Sequence, residues 1–286
     1  MGCSRVLVSL STRRNFLFKP YADTFLNLIP RYLADRNEMV SSSYAAALGY
    51  VARSASDEAI LKVATHVSKL YFDSEDDRSR IVSGEIVRAI AKYATDRFAS
   101  LAAAFLPIVF TARNDENSDV KQLFKETWDD NTGGNRAASL YLREIVTLAN
   151  EHLTSKKWNI KHGAALALAE ATEAVSAARG SANMSEAEAS LLWPVLKTAL
   201  AEKSWDGKER VLTGFSTFVK DAKAFWKPRS DVSTDISKVW WLLRSSVLFC
   251  RYTSSSRCST ATQTGNRLYC FPVARPDVSI GVRRGY

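Results

Sequence analysis

The sequence predicts an all-α chain in which pairs of helices stack into a superhelix. Three observations carry that prediction. Apolar residues recur at helical spacing from about Tyr21 to Trp226, short polar turns separate stripes of helix length, and an apolar-apolar-Pro signature returns at regular intervals. No segment in this body alternates with period two between hairpin turns, so no strand is expected there.

The stripes can be followed in order. Ile60, Ala64, Val67 and Tyr71 form one apolar face, and Val82, Ile86, Ala89, Ile90 and Tyr93 form the next. Leu142, Ile145, Val146 and Ala149 repeat the pattern, as do Val211, Phe215, Phe218 and Val219. Phe98 to Phe110 reads as a buried helix interrupted by Pro107. The turns fall at Ala34–Asn37, Ser54–Asp57, Asp73–Asp77, Asn114–Asp119, Asp129–Gly134 and Arg179–Ser185. Ser56 or Asp57 is placed to cap the helix that follows it. The acids at 73–77 suit a helix N-terminus, where the backbone dipole is positive.

The repeat shows in Leu28-Ile29-Pro30, Phe105-Leu106-Pro107 and Leu192-Trp193-Pro194. The prolines are 77 and 87 residues apart, so half of each spacing falls in or near the roughly 40–47 residues of HEAT and armadillo units. Gly49 follows Pro30 by 19 residues and Gly214 follows Pro194 by 20, which places both glycines in second helices. One helix pair cannot bury its own apolar face, so neighbours must stack to make a core. Small residues such as those at 164–169 let second helices approach closely, and a proline within a first helix kinks it. Residues 20–228 have room for about five pairs.

Charge and cysteine separate this body from the ends. The net charge is +9, yet residues 1–19 carry +4 and residues 229–286 carry +6, leaving residues 20–228 with 26 bases and 27 acids. A nucleic-acid reader concentrates its bases on a folded face, so nucleic acid is not the expected partner of this body. Residues 1–19 are read as a basic N-terminal segment, and residues 229–286 as a basic Ser/Cys-rich tail, disordered or an artefact of the gene model. Cys3, Cys250, Cys258 and Cys270 match no zinc spacing and are expected as free thiols. Met1-Gly2-Cys3-Ser4 departs from the myristoylation pattern at Val6, no secretory leader is legible, and no apolar run is long enough to span a bilayer. An intracellular protein is expected.

No catalytic set emerges. His66, His152 and His162 form no metal-ligand pair, and His152 closes a helix where a cation suits the dipole. Gly133-Gly134-Asn135 lacks the Lys-Ser/Thr of a phosphate loop and reads as a turn opening a helix. No enzyme activity, cofactor, metal or small-molecule substrate is expected.

Two stretches stand out. Trp158 to Ala165 reads Trp-x-x-Lys-His-Gly-Ala-Ala, with Lys161, His162 and Gly163 at its centre, and Trp205-Asp206-Gly207-Lys208-Glu209 follows about forty residues later. Each Trp precedes a second helix, where it can pack across the turn or be offered as a binding contact. Together with Arg31 to Gly49 and Gln122 to Thr132, these stretches resemble the large HEAT-repeat proteasome adaptor and scaffold family over roughly residues 15–228. Members are several times longer, so the resemblance implies a fragment of the C-terminal half or a truncated gene model. It implies binding to the 26S proteasome, bridging of its core and regulatory particles, assembly quality control, and a place in cytoplasm and nucleus. Family members remain helical after the position of Trp226, whereas this sequence changes near Ile236–Val239, as a retained intron would make it; residues 1–14 are likewise expected to be foreign. The alternatives are an adaptor of another complex, such as a nuclear transport receptor, and a nucleic-acid-binding helical array that uses the basic ends.

Overall fold

The computed structural model describes residues 2–33, 35–180, 183–201 and 208–240, with the side chains of residues 208 and 209 left aside. The chain divides into two units, Met1–Ser237 and Lys238–Tyr286. Of the second, only residues 238–240 are described, as helix. The expected tail therefore lies mostly outside the described residues.

The first unit is helical throughout, with no strand among the described residues. In order, the helices are α1 (Gly2–Arg13), α2 (Asn15–Leu28), α3 (Pro30–Leu33), α4 (Glu38–Ala52), α5 (Asp57–Phe72) and α6 (Asp77–Tyr93). There follow α7 (Thr95–Ser100), α8 (Ala102–Ala112), α9 (Ser118–Asn131), α10 (Asn135–Leu140), α11 (Leu142–His152) and α12 (Trp158–Arg179). The series ends with α13 (Glu186–Ala201), α14 (Lys208–Asp221), α15 (Lys223–Trp226) and α16 (residues 230–240). The buried residues of α5 include Ile60, Val67 and Tyr71, and those of α11 include Leu142, Ile145, Val146 and Ala149, so the stripes read from the sequence are the packed faces.

The helices form two rows. First helices α2, α5, α8, α11 and α13 pack in succession. Second helices α1, α4, α6 and α9 pack in succession as the other row, and α12 and α14 pack on each other, with α12 also resting on α10, α11 and α8. Between α2 and α14 the described residues make five pairs: α2–α3 with α4, α5 with α6, α7–α8 with α9, α10–α11 with α12, and α13 with α14. The fold is thus the α-α superhelix expected.

The repeat is written in the polar contacts. Ser4 and Ser43 are 39 residues apart, Ser54 and Asn15 also 39, Arg97 and Ala55 42, Arg78 and Asp35 43, Ser41 and Glu85 44. Further along, Asn117 and Asp77 are 40 apart, Arg229 and Glu186 43, and Ser176 and Asp221 45. Equivalent positions of neighbouring units lie side by side, so a polar contact between units recurs at about the unit spacing.

Close approach in the second-helix row depends on missing side chains. A Cβ on Gly49 of α4 would lie 2.3 Å from the Ala89 carbonyl oxygen on α6. One on Gly214 of α14 would lie 2.8 Å from Ala169 Cα on α12. The two glycines aligned by their spacing from Pro30 and Pro194 thus do the same job. Caps set the helix starts. Ser56 accepts from the Ala59 N–H, which decides between Ser56 and Asp57, and Asp76 accepts from the Ser79 N–H.

Several expectations shift. The segment at 1–19 is helical: α1 buries Ser4, Leu7 and Ser11 and packs on α4, and the boundary set at residue 20 falls inside α2. The helical stack also passes residue 229, because α16 buries Val232 and Ile236 and Asp235 pairs with Lys197 of α13. The helix expected over Phe98–Phe110 is two, α7 and α8, broken at Leu101. At this end of the described helices, α1 and α2 expose Val6, Leu10, Leu17, Tyr21 and Leu28.

Candidate interaction surface

The turns joining first to second helices line up along one edge, at residues 73–76, 113–117 and 153–157. A buried polar cluster ties the first two together. Tyr71, at the end of α5, donates its hydroxyl to Asp115 Oδ2 at 2.9 Å. Arg80 Nε lies 3.2 Å from the same oxygen, off the line of a hydrogen bond, so that contact is chiefly coulombic. Arg80 also donates to Asp77 Oδ1 at 2.7 Å, and the Asn117 N–H donates to Asp115 Oδ1 at 2.8 Å. Burial, reinforced by the Asp115 charge, pushes the Tyr71 hydroxyl well above its ordinary pKa and keeps it a donor. The carboxylate of Asp115 and the guanidinium of Arg80 are both nearly covered, so each depends on the other.

The next cluster centres on Glu170 of α12. Arg113 and Asn114 both donate to Glu170 Oε2, at 2.8 and 3.0 Å. The Arg113 guanidinium lies 3.9 Å over the Phe110 ring, and Phe110 meets Trp128 edge-on at 4.9 Å. Trp128 belongs to the Gln122–Thr132 stretch and is fully buried, so that stretch serves the core.

The Trp158 motif opens α12 at the third turn. Lys157 holds the N-cap position and reaches back to the end of α5, donating to the Phe72 carbonyl at 3.3 Å and to the Asp73 carbonyl. These are last carbonyls of a helix, where a cation is favoured. Trp158 keeps 46% of its surface exposed, and its ring is parallel to that of His162 at 6.2 Å. His162 Nδ1 is 3.6 Å from Glu116 Oε1. Lys161 is half-buried, and Ile160 and Gly163 face the core. The aromatic surface that the sequence left open between packing and binding is therefore presented outward at this point.

The other motif lies largely outside the described residues. Of Trp205, Asp206, Gly207, Lys208 and Glu209, only the last two are placed, as the first helical residues of α14.

The histidines differ from expectation. Burial lowers the pKa of His152 from 6.5, and its ring stacks on Phe72 at 3.7 Å, so it is a neutral packing residue at pH 7 and not the helix-end cation anticipated. His66 lies on the exposed side of α5, and partial desolvation by its helix neighbours, followed by the Lys69 charge, lowers its pKa as well. Gly134 has φ of 67° and starts the six-residue α10, a plain turn. No group of three or more potential metal ligands occurs among the described residues.

Sequence reasoning missed Arg80, Asp115 and Glu170. Asp115 sits in a polar break and looked like capping material. The available signal was Tyr71, 44 residues before it, one unit away.

Comparison with known proteins gives one consistent result. The family model described as the HEAT-repeat domain of the proteasome adapter and scaffold protein ECM29 matches residues 1–72. Residues 1–14, expected to be foreign, lie inside that match. The human proteasome adapter and scaffold protein ECM29 is 27% identical over 230 residues, covering 78% of this chain and 12% of the relative. Proteasome component ecm29 of Schizosaccharomyces pombe is 26% identical over 219 residues, covering 77% of this chain and 12% of the relative. Proteasome component ECM29 of Saccharomyces cerevisiae is 25% identical over 243 residues, covering 84% of this chain and 13% of the relative. The chain thus spans 12–13% of the length of these relatives.

Proposed function

We propose that this chain, similar to the proteasome-associated HEAT-repeat proteins, is a non-catalytic scaffold segment that binds the 26S proteasome. The observation that carries this reading is similarity over three quarters or more of the chain to proteins named as proteasome adapters, scaffolds and components. Within the proposal, the segment helps to bridge core and regulatory particles and supports assembly quality control, in cytoplasm and nucleus.

The architecture suits the role. A stack of helix pairs presents a long ridged surface whose side chains are held by neighbours on both sides. The turn edge offers an exposed Trp158 beside charged Lys156, Glu116 and the half-buried Lys161, an aromatic contact ringed by polar groups.

The direct test is native-gel co-migration of the tagged full chain with purified 26S proteasome, its isolated core particle and its isolated regulatory particle. Co-migration with both isolated particles is the expected result. A helical chain by circular dichroism that moves with none of the three refutes the proposal. Trp158→Ala in the same assay asks whether the turn edge takes part.

A further inference from the structure

Pro30 breaks the first helix of the leading pair. α2 ends at Leu28, the chain turns at Ile29, and α3 restarts at Pro30. The bend leaves a groove between α2–α3 and α5, closed below by the start of α6, with a volume of about 420 Å³. This is within the roughly 300–1,000 Å³ of ligand-binding clefts.

The groove has an apolar floor and a basic rim. Leu26, Val63, Leu70 and Val82 line it, and the first two and the last are buried. The rim carries Arg31, Lys62, His66 and Arg78, and no carboxylate lines it. This is a local departure from a body holding 26 bases and 27 acids over residues 20–228. The carboxylates nearby are engaged elsewhere or from outside. Asp76 accepts from the Ser79 N–H, Asp77 pairs with Arg80, and Asp35 Oδ1 accepts from the Asn37 N–H. Arg78 donates to a backbone carbonyl, that of Asp35, at 3.2 Å, and keeps its charge unneutralised there. Among the described residues Glu58 pairs with Lys62 at 2.8 Å on the exposed surface of α5, and the Asp23 charge also acts on Lys62. Such exposed pairs exchange readily for another carboxylate.

We propose that this groove binds an acidic peptide segment, with an apolar side chain seated on the Leu26–Val63–Val82 floor and flanking carboxylates paired with Arg31, Lys62 and Arg78. The charge complementarity selects the occupant: an apolar side chain alone gives the Arg31, Lys62 and Arg78 rim no new carboxylate, and a purely anionic ligand leaves the floor uncovered. A peptide of acidic and apolar residues satisfies both. The inference stands apart from the proteasome reading, because it depends only on the groove.

Fluorescence anisotropy on the full chain tests it. The probe is a fluorescein-labelled peptide of alternating Glu and Leu, with a Gln-for-Glu peptide and a labelled single-stranded oligonucleotide as comparisons. Saturable binding of the Glu peptide is expected, weakening with added salt. Arg31→Glu combined with Lys62→Glu should raise Kd about tenfold or more without moving the thermal midpoint, since both side chains are exposed. Arg31→Gln with Lys62→Gln should give an intermediate loss. The proposal is overturned if the Gln peptide binds as well as the Glu peptide, or if the charge reversals leave Kd unchanged. It is equally overturned if the oligonucleotide binds more tightly and is the one lost on reversal.

Discussion

The two rows of helices solve the stacking problem in opposite ways. The second-helix row removes side chains to bring backbones together, and Gly49 and Gly214 sit where a Cβ would strike the adjoining helix. The first-helix row instead carries Pro20, Pro30, Pro107 and Pro194, and two grooves lie along it. The second of these, about 490 Å³, lies between α5 and α11 with Ala103, Ala104 and Pro107 of α8 among its lining. A proline cannot donate its helical hydrogen bond and crowds the preceding turn, so first helices bend and pack less evenly. The lesson is a division of labour: one row secures cohesion and the other leaves surface relief for partners.

The largest test strikes the joint between two neighbouring units, which both rows share. Asp115→Ala strips the covered Arg80 of its buried partner and leaves only the exposed Asp77, so stability should fall by roughly 3–5 kcal/mol in urea titration. Tyr71→Phe removes one hydrogen bond from the same carboxylate and should cost about 1 kcal/mol. A reversed order would mean that the ion pair contributes nothing to the joint.

Two glycines of second helices should respond with opposite sign. Gly49→Ala gains about 1 kcal/mol of helix propensity but drives a methyl group into a backbone carbonyl that cannot swing away. Overpacking of about 1–3 kcal/mol should win, lowering the thermal midpoint. At Gly163 the nearest atom to a new Cβ is the Thr111 carbonyl oxygen at 3.9 Å, so Gly163→Ala keeps the propensity gain and should raise the midpoint. Equal responses would show that row spacing is soft.

Lys157→Met should cost about 1 kcal/mol, because the last carbonyls of α5 lose a charged donor supplied from two units away. Local hydrogen exchange at the end of α5 should rise with it.

The smallest effect is a pH slope. The Ser79 N–H, followed by its hydroxyl, holds the Asp76 carboxyl below 3.8. A depressed carboxylate stabilises the fold fully above its unfolded pKa, and that share is lost as pH falls through the folded value. Asp76→Asn should therefore flatten the fall of stability below about pH 4, leaving neutral stability little changed, since Asn also caps.

Much of the fold was legible because a helix must repeat its apolar residues every three or four positions to bury one face. The stripes at Ile60–Tyr71 and Leu142–Ala149 needed no tertiary information. The half-period spacing of Pro30, Pro107 and Pro194 likewise gave the unit, and the polar contacts 39–45 residues apart reproduce it. The site was less legible. Trp158 was marked by its motif, but its 46% exposure follows only from how the units pack around it. Asp115, Arg80 and Glu170 carry no local pattern, because their partners come from other units.

The sequence by itself determined the helices, their approximate number, the repeat and the neutral charge of the body, all of which follow from spacing within single elements. The tertiary structure alone decided that α1 and α16 join the stack, that His152 is neutral packing, and that three cations surround one groove. The physical reason is range. Periodicity is a property of neighbours along the chain, whereas burial, ion pairing and cavity shape depend on residues that meet only when separate units pack together.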